Sequence, residues 1–226
     1  MKDIVYYPDC TDVFVIQECD GIAYYLIDKH NKYSKKNIAN HCTLNKNLES
    51  DYEVRDIGNC LLNFSNKIIN KIMNSNKPYR PEIIGDKHKY KVYTNNSLGV
   101  GGKNHKDSNG RYTYLLSNQG NMHCISLSEI TKDNDTPNVK ISCVTFSSDI
   151  ENECKSFISW TYTRLVRFLY FSGLMGRNLF KQDISWRFVP NPGKFDHTFT
   201  DQELYKKYNL TDEEIHIIES VIKERK

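Results

Sequence analysis

Lysine, arginine and asparagine in a glycine-rich setting are the residues of this chain best suited to chemistry, and that chemistry is anion recognition. Between Asn95 and Gly110 four glycines surround Lys103, Asn104 and Lys106, with Arg111 just beyond. Glycine lets a loop turn tightly enough to enter a groove. Lys and Arg hold phosphates, while Arg and Asn read base edges through paired hydrogen bonds. Lys77, Arg80, Lys87, Lys89 and Lys91 form a second set of phosphate contacts upstream. Arg164 and Arg167 are three apart, so on a helix they share one flank. There they serve either as phosphate contacts or as packing for the helix itself.

Net charge is only +3 over 226 residues, so the whole chain does not announce a polyanion partner. Its distribution is more telling. From Lys77 to Arg111 eight Lys/Arg face three acids, and from Lys155 to Arg187 six face one. From Thr200 onward seven acids outnumber five bases. Two basic stretches and an acidic end make a one-sided field that attracts phosphates.

Other chemistries lack their residues. No phosphate-binding G-x-x-x-x-G-K-[ST] motif and no H-E-x-x-H occurs. Leu98-Gly-Val-Gly-Gly102 lacks the following helix and acid of a dinucleotide site, and reads as a flexible loop. Cys10, Cys19, Cys42, Cys60, Cys124, Cys143 and Cys154 include no C-x-x-C pair, which argues against a zinc ribbon. His41-Cys42 and His123-Cys124 are adjacent pairs rather than ligand spacings. A restriction-type nuclease would have to recruit Asp9, Asp28 and Lys29. On a strand Asp28 and Lys29 point apart, so they do not build that site. No metal ligand set and no cofactor site is expected. The start has no apolar signal region, and no run reaches the roughly 18 apolar residues of a membrane span. The expected location is therefore the cytoplasm, with reduced thiols.

The elements that must position these residues follow from periodicity. Ile4–Tyr7, Val13–Ile16 and Ile22–Ile27 read as strands, with a turn at Asp20-Gly21. The unbroken apolar run of Ile22–Ile27 suggests burial on both faces. Asp28–Asn37 reads as a loop, and a first boundary falls near residue 40. Apolar residues from Leu61 to Met73 have helical spacing. Tyr90–Tyr93, Tyr112–Leu116, His123–Leu127 and Val139–Phe146 are strand candidates, with a loop over Thr131–Asn138. Asp149–Phe171 predicts one long helix, ended by Gly173 and Gly176. Trp186, Phe188 and Pro190 belong to the core, as do Tyr205 and Tyr208. Thr200 with Glu203, and Thr211 with Glu214, each have the spacing of a capping box, giving two short helices in a hairpin. Glu213 and Glu219 fall on the outer face of the second. The fold class expected is α+β.

Asp183-Ile-Ser-Trp-Arg-Phe-Val-Pro190 and Thr200-Asp-Gln-Glu-Leu-Tyr-Lys-Lys-Tyr-Asn-Leu-Thr-Asp-Glu-Glu-Ile215, after the Phe157–Leu169 helix, resemble one family's ending. It is that of the type IIG-like N6-adenine DNA methyltransferases of restriction–modification systems, in their C-terminal target-recognition region. Ile4–Phe14 and Gly21–Ile27 resemble the last strands of the same family's methyltransferase domain, and Asn76–Arg80 the start of its recognition domain. The resemblance implies residues 1–45 as a remnant of the methyltransferase sheet and residues 46–226 as a DNA target-recognition domain ending in the helical hairpin. The family's catalytic N/D-P-P-aromatic tetrapeptide grips the flipped adenine. This chain has no Pro-Pro at all and no convincing S-adenosylmethionine loop. The resemblance thus implies a recognition module or subunit for double-stranded DNA, without catalytic residues or cofactor, serving a methyltransferase or restriction partner. The competing expectations are a decoy or inhibitor that binds such a partner, and a nuclease of unrecognised site.

Overall fold

The structure is a computed structural model that describes residues 1–7, 22–40, 51–56, 60, 62–80, 88–95, 131–132, 142–173 and 186–222. The fold is α+β, and the chain divides into two units, Met1–Asn74 and Ser75–Lys226. The strand candidates at Val13–Ile16, Tyr112–Leu116 and His123–Leu127 lie outside the described residues.

The first unit is a four-stranded sheet with one helix. Strands β1 (Asp3–Tyr7), β2 (Ile22–Leu26), β3 (Lys36–Asn40) and β4 (Asp51–Arg55) lie in the order β2-β1-β3-β4. The central pair β1/β3 is parallel and both outer pairs are antiparallel. Helix α1 (Asn63–Met73) covers one face. There Ile4 and Ile38 meet the helix stripe of Phe64, Ile68, Ile69 and Ile72, all buried. The helix starts at Asn63 because Leu62 is still extended and the Asn40 side chain accepts the Asn63 N–H at 2.6 Å. Asn63 in turn donates to the Ile38 carbonyl and accepts from the Arg55 guanidinium, which also pairs with Glu53. This buried polar lock fixes the helix on β3 and β4, with each group satisfied by another.

Two expectations about this unit are corrected. Ile22–Ile27 is not buried on both faces. β2 is an outer strand, and Tyr24, Tyr25, Leu26 and Ile27 are each more than half exposed. The loop expected to run to Asn37 ends earlier, because Lys36 and Asn37 already pair with β4.

The second unit holds β5 (Tyr90–Asn95), β6 (Thr131–Lys132) and β7 (Ser142–Ser148) in an antiparallel sheet of order β6-β5-β7. Thr131–Lys132, read as loop, is thus a short strand. Helices α2 (Glu151–Tyr162) and α3 (Arg164–Gly173) follow, then a 3₁₀ turn at Trp186–Phe188, α4 (Asp201–Lys207) and α5 (Asp212–Val221). An aromatic core of Phe146, Phe157, Trp160, Trp186 and Phe195 holds the unit together. Phe146 stacks on Phe157 at 4.9 Å, and Trp160 lies nearly parallel to Trp186 at 6.0 Å. Trp186, Phe188, Pro190, Tyr205 and Tyr208 are buried, as expected.

One long helix from Asp149 to Phe171 is not what forms. Thr163 is extended (ψ 148°) and breaks it into α2 and α3. Its hydroxyl donates to the Trp160 carbonyl at 2.7 Å. The new N-terminus is satisfied from afar: Asp201 accepts the Arg164 N–H at 2.6 Å and lies 3.4 Å from that of Leu165. Burial raises the Asp201 pKa, against the pull of these donors.

The C-terminal hairpin forms as expected, with one difference. Thr211 and Glu214 make a complete reciprocal capping box. Thr200 accepts the Glu203 N–H, but the Glu203 carboxylate turns to His197 instead. Between the helices Asn209 adopts φ 50°, and Leu210 N–H returns to the Tyr205 carbonyl at 3.0 Å. Asn tolerates this left-handed corner, closing α4 in a Schellman-type turn.

Candidate nucleic-acid interface

The best-defined basic feature is a strap of residues 77–80 in the second unit. It lies antiparallel to Val189–Asn191, with Pro78 opposite Pro190. Tyr79 N–H donates to the Val189 carbonyl at 2.7 Å, and Asn191 N–H to the Lys77 carbonyl at 2.9 Å. Tyr79 is driven inward, 6% exposed. Its ring meets Trp186 at 5.1 Å, Trp160 at 5.3 Å, Phe157 at 5.7 Å and Phe195 at 6.3 Å. Lys77 and Arg80 flank this anchor and both are exposed. Two cations are therefore carried at fixed backbone positions, which lowers the entropy lost when they hold an anion.

A turn adds to this edge. Asn191-Pro-Gly-Lys194 bends at Gly193, whose φ of 98° suits glycine, and Asn191 Oδ1 accepts the Gly193 N–H at 2.9 Å. The bond between Asn191 and Lys77 sets the turn beside the strap. Lys194 is exposed on it, and Lys207 Nζ reaches the Pro192 carbonyl at 3.2 Å. Neither Lys194 nor Lys207 was among the residues expected to meet DNA. The Asn-Pro-Gly-Lys turn signal was available for the first, whereas the second depends on a tertiary contact.

Lys89 is exposed at the start of β5. Its N–H donates to Asp149 at 3.0 Å, and His88 Nδ1 lies 3.3 Å from the same carboxylate. These bonds, the Lys89 N–H foremost, hold the Asp149 pKa below the usual carboxylate range. Lys91 lies on β5. Lys87, Lys103, Asn104, Lys106 and Arg111 lie outside the described residues.

Arg164 and Arg167 face inward. The Arg164 guanidinium pairs with Glu219 on α5 at 2.7 Å, and its side chain is 18% exposed. Arg167 is fully buried, with Nε 3.4 Å from the Thr163 carbonyl. Their shared flank packs the helix rather than presenting two cations to solvent. Glu219, expected on an outer face, is half of the Arg164 pair, and Tyr205 Oη donates to it at 3.4 Å.

Other titratable groups are structural. His197 sits between Asp196 at 2.7 Å and Glu203 at 2.8 Å, and these carboxylates raise its pKa, Asp196 most. Its carbonyl accepts the Ser156 hydroxyl, so the cluster joins the α4 N-terminus to α2. Burial pushes the Cys154 thiol up to about 12, so it is no nucleophile at neutral pH. Among the described residues no group of three His, Cys, Asp or Glu could hold a metal ion. Among them, too, no helix is long and apolar enough to cross a membrane. Compared with known proteins, the chain matches no family model, no curated protein and no solved structure.

Proposed function

We propose that the chain is a DNA target-recognition module for an N6-adenine methyltransferase of the restriction–modification kind, acting in the cytoplasm on double-stranded DNA without a catalytic site of its own. The resemblance of its C-terminal third and of Asn76–Arg80 to that family motivates the assignment. One observation carries it: Lys77 and Arg80 are exposed on either side of a buried Tyr79, on backbone pinned to residues 189–191. Fixed cations suit phosphate contacts, which set register and leave base reading to other residues.

A salt titration of fluorescent duplex binding tests this. Each phosphate contact contributes about 0.9 to the slope of log affinity against log salt. Lys77→Ala with Arg80→Ala should lower the slope by about 1.8. Between 50 and 200 mM salt, unaltered protein should then lose about twelvefold more affinity than the variant. An unchanged slope would remove the strap from the interface. No salt-dependent binding by unaltered protein, even with a methyltransferase partner present, would refute DNA recognition.

A further inference from the structure

The sheet of the first unit has a second face, opposite α1, and its chemistry is unusual. Three residues each from β1 and β2, and two each from β3 and β4, point that way, and all ten are apolar or aromatic except Asp3 and Asn37. Those two satisfy each other, because the Asn37 side chain donates to Asp3. Cross-strand register lines up Tyr24, Val5, Ala39 and Tyr52 in one row, and Leu26, Asp3, Asn37 and Val54 in the next. Tyr24, Leu26, Tyr52 and Val54 are 51–61% exposed. A sheet with one solvated face normally turns polar residues outward. Here the outward residues are those of an interior, and a contiguous apolar patch of this kind marks an interaction site.

We infer that this face docks a single amphipathic helix of a partner protein. Charge argues against a nucleic acid, although tyrosines on an open sheet can stack bases. None of the ten residues is Lys or Arg, and the one charge is the carboxylate of Asp3. Phosphates are repelled there, whereas a helix with Lys or Arg flanking its apolar stripe complements Asp3. Size argues against a second copy. Four strands about 4.8 Å apart, each of five residues, span roughly 19 by 17 Å, on the order of 300 Å². A stable dimer buries about 800 Å² on each partner. A three-turn helix about 16 Å long and 10 Å wide fits within that area. α1, with 11 residues, already covers β3 and β4 on the other face in this way.

The test uses the full chain and two labelled synthetic peptides of one composition. One carries leucines at i, i+3, i+4 and i+7 with lysines elsewhere, and the other alternates them as a strand. Anisotropy should show at least about tenfold tighter binding of the helical peptide, a difference of one decade in Kd. Tyr24→Ser with Tyr52→Ser should weaken that binding about 30-fold, as loss of a buried aromatic contact does. Tyr25→Ser alters the same strand on its other side and should leave binding within about threefold. Equal binding of both peptides by the unaltered chain overturns the inference, whatever the variants do. An equal loss on Tyr25→Ser also overturns it, and points to pairing along the β2 edge. Light scattering that finds a dimer, made monomeric by the double change, would assign the face to a second copy. Displacement of the peptide by oligothymidine would assign it to single-stranded nucleic acid.

Discussion

Replacing Tyr79 tests whether the strap is held from inside. The ring is 6% exposed and meets four aromatic rings within 6.3 Å. A buried tyrosine removes about 150–250 Å² from water, worth roughly 4–6 kcal/mol at about 25 cal/mol per Å². Alanine retains part of that, so Tyr79→Ala should destabilise the second unit by about 3–5 kcal/mol. Tyr79→Phe keeps the ring and should lose only about 1 kcal/mol. Urea denaturation followed by tryptophan fluorescence reads this directly, since Trp160 and Trp186 both touch the ring. A second consequence separates anchoring from bulk stability. Tyr79→Leu keeps most of the volume, and both cations remain, yet the strap loses its aromatic seat. Its slope of DNA affinity against salt should fall toward that of the Lys77/Arg80 double variant. A loss below about 1 kcal/mol for Tyr79→Ala would refute the anchor. Lost stability with an unchanged salt slope in Tyr79→Leu would instead show that the seat does not position the cations.

Three further outcomes are expected. His197 has its pKa raised above 6.5 by Asp196 and Glu203, so its contribution is fully present below pH 6.5 and fades as pH rises through the raised value. His197→Gln should therefore lower Tm near pH 6 and have little effect near pH 9, with equal effects at both refuting an ionic latch. Glu219→Ala removes the ion pair of a largely buried guanidinium and should destabilise by about 1–3 kcal/mol with no change in salt slope, both measurable by denaturation and duplex titration. Incubation with labelled S-adenosylmethionine and mixed-sequence DNA should transfer no methyl to adenine, and label above background would contradict the missing Pro-Pro-aromatic site.

What could be read in the sequence depended on how far apart the partners are. Thr211 and Glu214 are three residues apart and bond as that spacing demands. Thr200 and Glu203 have the same spacing, but Glu203 prefers His197, a choice set by the loop before the helix. The α2/α3 break is invisible to periodicity, because Phe157, Leu165 and Phe168 remain buried on either side of it. Nothing near Thr163 signals that Asp201 caps the next helix. Spacing showed that Arg164 and Arg167 share a flank but not which way it faces. Likewise the run Ile22–Ile27 reads as doubly buried, although half of its side chains belong to an open face. The strap was legible as basic residues around Tyr79, yet its rigidity comes from Val189 and Asn191, more than a hundred residues away.

The link from Asp201 to the first N–H groups of α3 also sets an order of events. The donors at residues 164 and 165 precede their acceptor by 37 and 36 positions. During synthesis α3 therefore emerges with only Thr163 to cap it, its hydroxyl 3.4 Å from the Val166 N–H, and with neither Asp201 nor Glu219 in place. Two unmet N–H groups and the absent Glu219 carboxylate disfavour its docking until residues 201–219 have left the ribosome. The small hairpin then acts as a keystone, completing a helix made well before it. A chain truncated before residue 201 and released should leave residues 164–173 open to protease, and one extending through residue 222 should protect them.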